Sequence, residues 1–169
     1  MSIALQESES EPTHYSVNEL LHYSGKLAIE VRVKGWVRTR RDSKAGISFI
    51  ALSDGSCFKS IQIVAESSLI NYHQDVTKLT KDCAIIVTGS IVRSQGKGQS
   101  LEIIAKAIDV IGWVDGPDQY PVSAKRHTLE FLRSVPHLRV RTNTIAAVSR
   151  LRNTVNFAIH EFLNDRGFM

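Results

Sequence analysis

The chain has 169 residues, of which 43% are hydrophobic and 22% charged, with a formal net charge of +4. That is enough apolar material for one ordinary domain plus a fragment, which excludes both a wholly disordered chain and two full-sized domains. No apolar run approaches the roughly 18 residues of a membrane span, and no basic-then-apolar leader opens the sequence. Two cysteines, Cys57 and Cys83, build neither a disulfide framework nor, alone, a zinc site. A cytoplasmic protein with no membrane partner and no metal is the expectation.

The charge is unevenly distributed. Residues 1–24 carry Glu7, Glu9, Glu11 and Glu19 and no lysine or arginine. Residues 25–44 carry seven bases against Glu30 and Asp42, and the last third is again basic. A basic strand region beside a neutral middle suits a polyanion such as nucleic acid, although a solvated charged face would look the same.

Residues 1–14 read as a flexible acidic tail. In residues 15–23 (YSVNELLHY) Ser16 can cap a short helix whose stripe is Val17, Leu20 and Leu21, with Gly25 to end it. The period then changes to two: Ile29, Val31, Val33 and Val37 alternate with Glu30, Arg32, Lys34, Trp36 and Arg38, the pattern of a half-buried strand. Gly35 is the expected place for a bulge or bend. Residues 47–54 (ISFIALSD) and 58–65 (FKSIQIVA) read as a hairpin closed tightly by Asp54-Gly55-Ser56. Residues 71–79 are weakly helical. Residues 83–93 and 100–113 are β-rich runs joined by the Gly96-Lys97-Gly98 turn.

The order is helix, three strands, short helix, two strands. Five strands with a helix between the third and fourth is the layout of an OB-fold, a five-stranded Greek-key barrel, expected over residues 15–114. An immunoglobulin-like sandwich needs about seven strands and no such helix. Residues 115–142 read as a hinge or linker. From about Asn143 a long amphipathic helix is expected, with Ile145, Val148, Leu151, Val155, Ile159 and Phe162 three or four residues apart and a stop at Gly167. That stripe has no partner in a barrel, so it suits a second subunit or a further domain.

Alternation also assigns faces. Ile50, Leu52, Ile61 and Ile63 point inward, which leaves Phe49 and Gln62 outward on neighbouring strands. A ring to stack on a base and an amide to read its edge, beside Arg38, Arg40 and Arg41, suit nucleobase binding; a Phe49 tucked under a loop is the bland alternative. The residues 96–100 lack the spacing of a phosphate loop, the six histidines show no ligand-like pairing, and no nucleophile–base grouping stands out, so no catalytic residue is expected.

Residues 35–62 (GWVRTRRDSKAGISFIALSDGSCFKSIQ), with residues 120–143 (YPVSAKRHTLEFLRSVPHLRVRTN), resemble class II aminoacyl-tRNA synthetases of the aspartate/asparagine/lysine subgroup, and the asparaginyl branch in particular. The resemblance runs from about Val17 to Met169 and implies an anticodon-binding OB domain. It implies that Phe49 stacks on the central anticodon uridine, that Gln62 reads that base, and that Arg41 and Glu102 are further anticodon-loop contacts. It implies that Lys125, Arg126 and His127 lie in a hinge near the tRNA backbone. It also implies that residues 143–168 are the dimer-interface helix that begins the class II α/β domain. Val140 departs from the family's usual proline and alters hinge stiffness.

The second and third class II motifs, whose arginines hold ATP, have no counterpart in these residues. No cofactor is therefore expected in this chain, and ATP, magnesium and attachment of asparagine to its tRNA belong to the complete homodimeric enzyme. Two other readings stand beside this one: a freestanding single-stranded nucleic-acid-binding OB module, and a nonfunctional remnant. A generic module would have no need of the hinge and the apolar helix, and a remnant would bind no RNA or would aggregate.

Overall fold

The computed structural model describes residues 12–96, 98–122 and 125–169, and the chain divides into two compact units, residues 1–117 and 118–169. Most of the expected acidic tail lies outside the described residues. Its end differs from expectation: Thr13–His14 form a short strand, β1, paired in parallel with Val31 and Arg32. Both residues are exposed, so main-chain pairing holds them and no hydrophobic pattern announces it.

Five longer strands follow: β2 (Glu30–Ser43), β3 (Ile47–Ser53), β4 (Ile61–Glu66), β5 (Ala84–Arg93) and β6 (Leu101–Gly112). They run in the order β2-β3-β4-β6-β5, and β5 returns to β2 to close the sheet. Within the ring only β4 and β6 pair in parallel. Closure removes the unpaired edges that an open sheet exposes. The expected OB-type barrel is present, and the sandwich is excluded.

β2 is long because it serves two neighbours, β5 along Glu30–Trp36 and β3 along Trp36–Ser43. Gly35 is not where it bends. The register shift falls between Val37 and Thr39, while Gly35 allows a close approach: a Cβ there would lie 2.8 Å from the Ser53 carbonyl oxygen. Alternating side chains fill the interior, and Val33, Val37, Ile50, Leu52, Ile61, Ile63, Val87 and Ile103 are fully buried. Each contributes about 1.5–3 kcal/mol relative to exposure.

Helix α1 (Val17–Leu21) adds Val17 and Leu20 to this core. Ser16 caps it as expected, in a reciprocal capping box with Glu19. The following hairpin is longer than the sequence suggested, with residues 54–60 between β3 and β4. The reason is a second cap. The Asp54 carboxylate accepts from the Val17 N–H at 2.8 Å and from the Ser56 N–H and hydroxyl, and the Ser56 hydroxyl accepts from the Asn18 N–H. The loop thereby ties the hairpin to the helix N-terminus, where a negative charge is favoured.

Burial alone would raise the Asp54 pKa, but the hydrogen bonds from Ser56 and Val17 outweigh it and hold the group below the usual carboxylate value. Its stabilising contribution is complete above the unfolded pKa of about 3.9 and is lost as pH falls through the lower folded value. Asp54→Ala is expected to cost about 1 kcal/mol near neutral pH. The difference in melting temperature between the two proteins should shrink towards acid; a difference that persists unchanged at low pH would contradict this role.

The weakly helical stretch expected over residues 71–79 contains one 3₁₀ turn, Val76–Lys78, and it still buries Tyr72, Val76 and Leu79 in the core. The Tyr72 hydroxyl hydrogen-bonds the buried Ser48 hydroxyl at 2.9 Å, and Ser48 donates to Asp42. Cys83 is buried and Cys57 half-buried, both as free thiols.

In the second unit a six-residue helix, α2 (Leu129–Ser134), interrupts the expected linker; Thr128 caps it by accepting from the Phe131 N–H. It is too short to show a period. A 3₁₀ turn at Arg139–Arg141 holds the exposed Val140, and α3 (Asn143–Asn164) starts where the sequence placed it. Gly167, at φ 77°, ends α3 in a Schellman arrangement: the Phe168 N–H donates to the Leu163 carbonyl and the Gly167 N–H to that of Asn164. No residue of α3 is buried. Among the described residues no helix is long and apolar enough to cross a membrane.

Candidate nucleic-acid interface

A single extra residue decides which arginine joins the outer face of the barrel. Plain alternation counted from the buried Val37 puts Arg38 and Arg40 outside and Arg41 inside. The shift between Val37 and Thr39 leaves Arg38 as the extra residue of the bulge and reverses the parity beyond it. Arg40 then pairs with the buried Ile50, and Arg41 with Phe49.

Arg40 is consequently engaged elsewhere. Its guanidinium donates to the Val76 carbonyl at 2.8 Å and pairs with Asp42 at 3.1 Å. This corrects the expectation that all three arginines serve one surface: Arg40 links β2 to the 3₁₀ turn. Arg38 is half-buried at the bulge, outside the row that contains Arg41.

The outer row continues across the sheet by register. Phe49 pairs with Arg41 on one side and Val64 on the other, Ala51 pairs with Gln62, and Gln62 pairs with Glu102 across the parallel β4–β6 seam. Phe49 and Gln62 are diagonal neighbours on adjacent strands, within reach of one ligand. Both are half-buried. With Arg41, Ser43, Gly96 and Gln99 they line an open depression of ≈ 560 Å³. One wall comes from the β5–β6 turn, whose Gly98 sits at φ 99°; Lys97 lies outside the described residues.

Glu102 differs most from expectation. It is 8% exposed, and its Oε2 accepts from the Gln62 amide at 3.0 Å and the Ser94 hydroxyl at 2.9 Å. Gln99 donates to Ser94 at 3.2 Å and approaches the same carboxylate oxygen at 3.5 Å. Glu102 is thus a buried hub beside Gln62 on the adjoining strand. Ser94 and Gln99 escaped the sequence reading, because only the β5–β6 register brings the ends of that turn to Glu102.

Lys125 and Arg126 are exposed in the second unit, and His127 stacks on Phe131 with centroids 5.0 Å apart. Along α3, Val148, Leu151, Val155, Ile159 and Phe162 are all at least 44% exposed, while Ile145 is half-buried. Five of the six residues of the apolar stripe are exposed. Among the described residues no group of three or more His, Cys, Asp or Glu side chains stands close enough to hold a metal ion.

Residues 31–111, nearly the whole barrel, match the tRNA-anticodon family, described as an OB-fold nucleic acid binding domain. Asparagine–tRNA ligase of Legionella pneumophila (strain Paris) is 62% identical over 146 residues, covering 85% of this chain and 31% of the relative. The ligase of Hahella chejuensis is 54% identical over 156 residues, covering 92% and 34%. The chain matches the N-terminal part of the asparagine–tRNA ligases. It spans about a third of the length of these curated relatives.

Solved structures agree on the fold. Asparaginyl-tRNA synthetase of Pyrococcus horikoshii superposes with a TM-score of 0.76 at 22% identity, covering 93% of this chain and 36% of that one. A putative aspartyl-tRNA synthetase of Leishmania major gives 0.77 at 20% identity, covering 99% and 35%. The match to asparagine–tRNA ligases includes the two segments, residues 35–62 and 120–143, whose wording pointed there.

Proposed function

We propose that the chain is the tRNA-reading part of an asparagine–tRNA ligase and binds the anticodon loop of the asparagine-specific tRNA on the outer face of β2, β3, β4 and β6. The observation that carries this is the convergence of Arg41, Phe49 and Gln62 on one open depression. A ring stacks any base, an amide distinguishes base edges, and a guanidinium neutralises phosphate, which together suit a splayed single-stranded loop. Lys125 and Arg126 add exposed positive charge for the tRNA backbone. On this reading the ATP- and magnesium-dependent attachment of asparagine falls to the two-thirds of the relatives' length that this chain does not span.

The α3 stripe suits a two-fold contact between copies of the homodimeric enzyme, because an isologous pairing lets one apolar face serve both subunits. The 169-residue chain is expected to self-associate in light scattering, and a version ending at Trp113 to stay monomeric. A strictly monomeric full chain with α3 strongly protected from hydrogen exchange would contradict this.

The binding reading is tested by titrating the chain with the anticodon stem-loop of an asparagine tRNA and with a hairpin of the same stem and an all-adenosine loop. Preference for the first is expected; equal affinity would favour a generic single-strand-binding barrel. Arg41→Ala should flatten the dependence of log K on log salt by about one unit of slope, the signature of one lost phosphate contact. An unchanged slope would remove Arg41 from the phosphate-binding set.

A further inference from the structure

We infer that a second RNA site lies at the other end of β6, where an unpaired nucleotide stacks on Trp113 and sets its phosphate against Lys78. The inference rests on the reading of the chain as tRNA-binding and adds a contact that Arg41, Phe49 and Gln62 do not supply. Glu102 stands near the start of β6 and Trp113 follows its last residue, Gly112. At the rise of a β-strand that separation is about 30 Å, too far for one nucleotide to occupy both places.

Gln74, Asp75, Lys78 and Thr80 face Trp113 and Pro117 across an open pocket of ≈ 520 Å³, room for one small ligand, all within the first unit. The two walls differ in chemistry. Trp113 is 47% exposed, because its neighbour Val114 packs against the core and leaves the indole outside. The polar wall is held in place. Val76 and Leu79 are buried, which leaves Lys78 exposed between them. The Val76 carbonyl accepts from Arg40, so the arginine drawn away from the outer row anchors this wall instead. The Asp75 carboxylate accepts from the Asn71 amide, which also donates to the Ile108 carbonyl on β6. Among the described residues Lys78 enters no ion pair.

A nucleotide matches these walls part by part. Its base is the flat surface that an exposed indole stacks, its phosphate is the anion that an ammonium takes, and its ribose hydroxyls are donors for a carboxylate. A bare phosphate would gain from Lys78 and lose to Asp75. A duplex keeps its base faces stacked on one another, so the fit is to an unpaired nucleotide. The open side lets a strand run in and out, which suits a nucleotide within RNA over a free one.

The test titrates the 169-residue chain, Trp113→Ala and Lys78→Ala with a transcript of the complete asparagine tRNA. Loss of the stack should weaken binding about tenfold, within the range for one base on an aromatic ring, and Trp113→Phe should restore most of it. Lys78→Ala should flatten the dependence of log K on log salt by about one unit. Neither alanine change should alter the preference for the asparagine anticodon loop over an all-adenosine loop. Unchanged affinity and slope would overturn the inference while leaving anticodon reading intact. A lost loop preference would show that the variants act through the outer row, and would overturn it too. No tRNA binding by the unaltered chain would remove both readings.

NMR of the unaltered chain decides independently of whether the alanine variants fold. The indole Nε1–H resonance of Trp113, identified by its loss in Trp113→Phe, should shift when the tRNA binds. An unmoved resonance would overturn the inference. A shift with adenosine 5′-monophosphate but none with tRNA would assign the pocket to a free nucleotide, which also overturns it.

Discussion

Replacing Gly89 by alanine is expected to open the β5–β6 seam and lower the melting temperature by on the order of 10 °C. A Cβ on Gly89 would lie within van der Waals overlap of the Ile104 carbonyl oxygen and 2.8 Å from Ile103 Cγ2. The first of these is backbone, which no rotamer change relieves. The position is forced by a bulge: Thr88 pairs with Ala107 but Gly89 with Ala105, so β6 carries Lys106 as an extra residue and crowds the strand opposite. Overpacking costs about 1–3 kcal/mol and sometimes more, and each kcal/mol moves the midpoint of a domain this size by roughly 4 °C. Gly112→Ala is the control. Its Cβ would meet only the Ala84 Cβ, at an ordinary 3.6 Å, and melting should change little. Equal melting of the two variants would show that β6 shifts freely and that the bulge is not a fixed feature.

Phe49→Ala is expected to weaken anticodon-loop binding by about 1–3 kcal/mol, roughly five- to 150-fold, the scale of one lost aromatic–base stack. The ring belongs to the outer row, paired with Arg41 and Val64, while its neighbours Ser48 and Ile50 point into the core. Folding should survive the change. Calorimetry or anisotropy titration gives the affinity, and a melting curve gives the stability. Collapse of the fold with affinity unchanged per folded molecule would assign Phe49 to the core.

The barrel was legible in the sequence because its strands are half-buried, and period-two alternation is what a half-buried strand imposes. Phe49 and Gln62 were found outside for the same reason, Gln62 between the inward Ile61 and Ile63 and Phe49 beside the inward Ile50. For Arg40 and Arg41 the same alternation gives the faces reversed. One bulged residue at Arg38 reverses every face after it, and the pairing partner that creates the bulge lies on another strand. Glu102 shows a second limit. A glutamate between Leu101 and Ile103 reads as an outward polar residue; its burial depends on the turn folding Ser94 and Gln99 over it.

Short elements were hidden for different reasons. Thr13–His14 are held by main-chain bonds, and α2 has fewer than two turns, so neither leaves a hydrophobic period. The length of the loop over residues 54–60 follows from Asp54 capping a helix that begins 37 residues earlier in the chain. By contrast α3 was legible end to end, because 22 residues carry a complete stripe and Gly167 supplies the stop.

Photocrosslinking bears most directly on the central claim, that the row from Arg41 through Phe49 to Gln62 receives the anticodon loop. An anticodon stem-loop carrying 4-thiouridine at its central position should crosslink to Phe49 or to its immediate neighbours on β2, β3 and β4. Crosslinks confined to the exposed Trp36 and Trp113 region, or to α3, would contradict it.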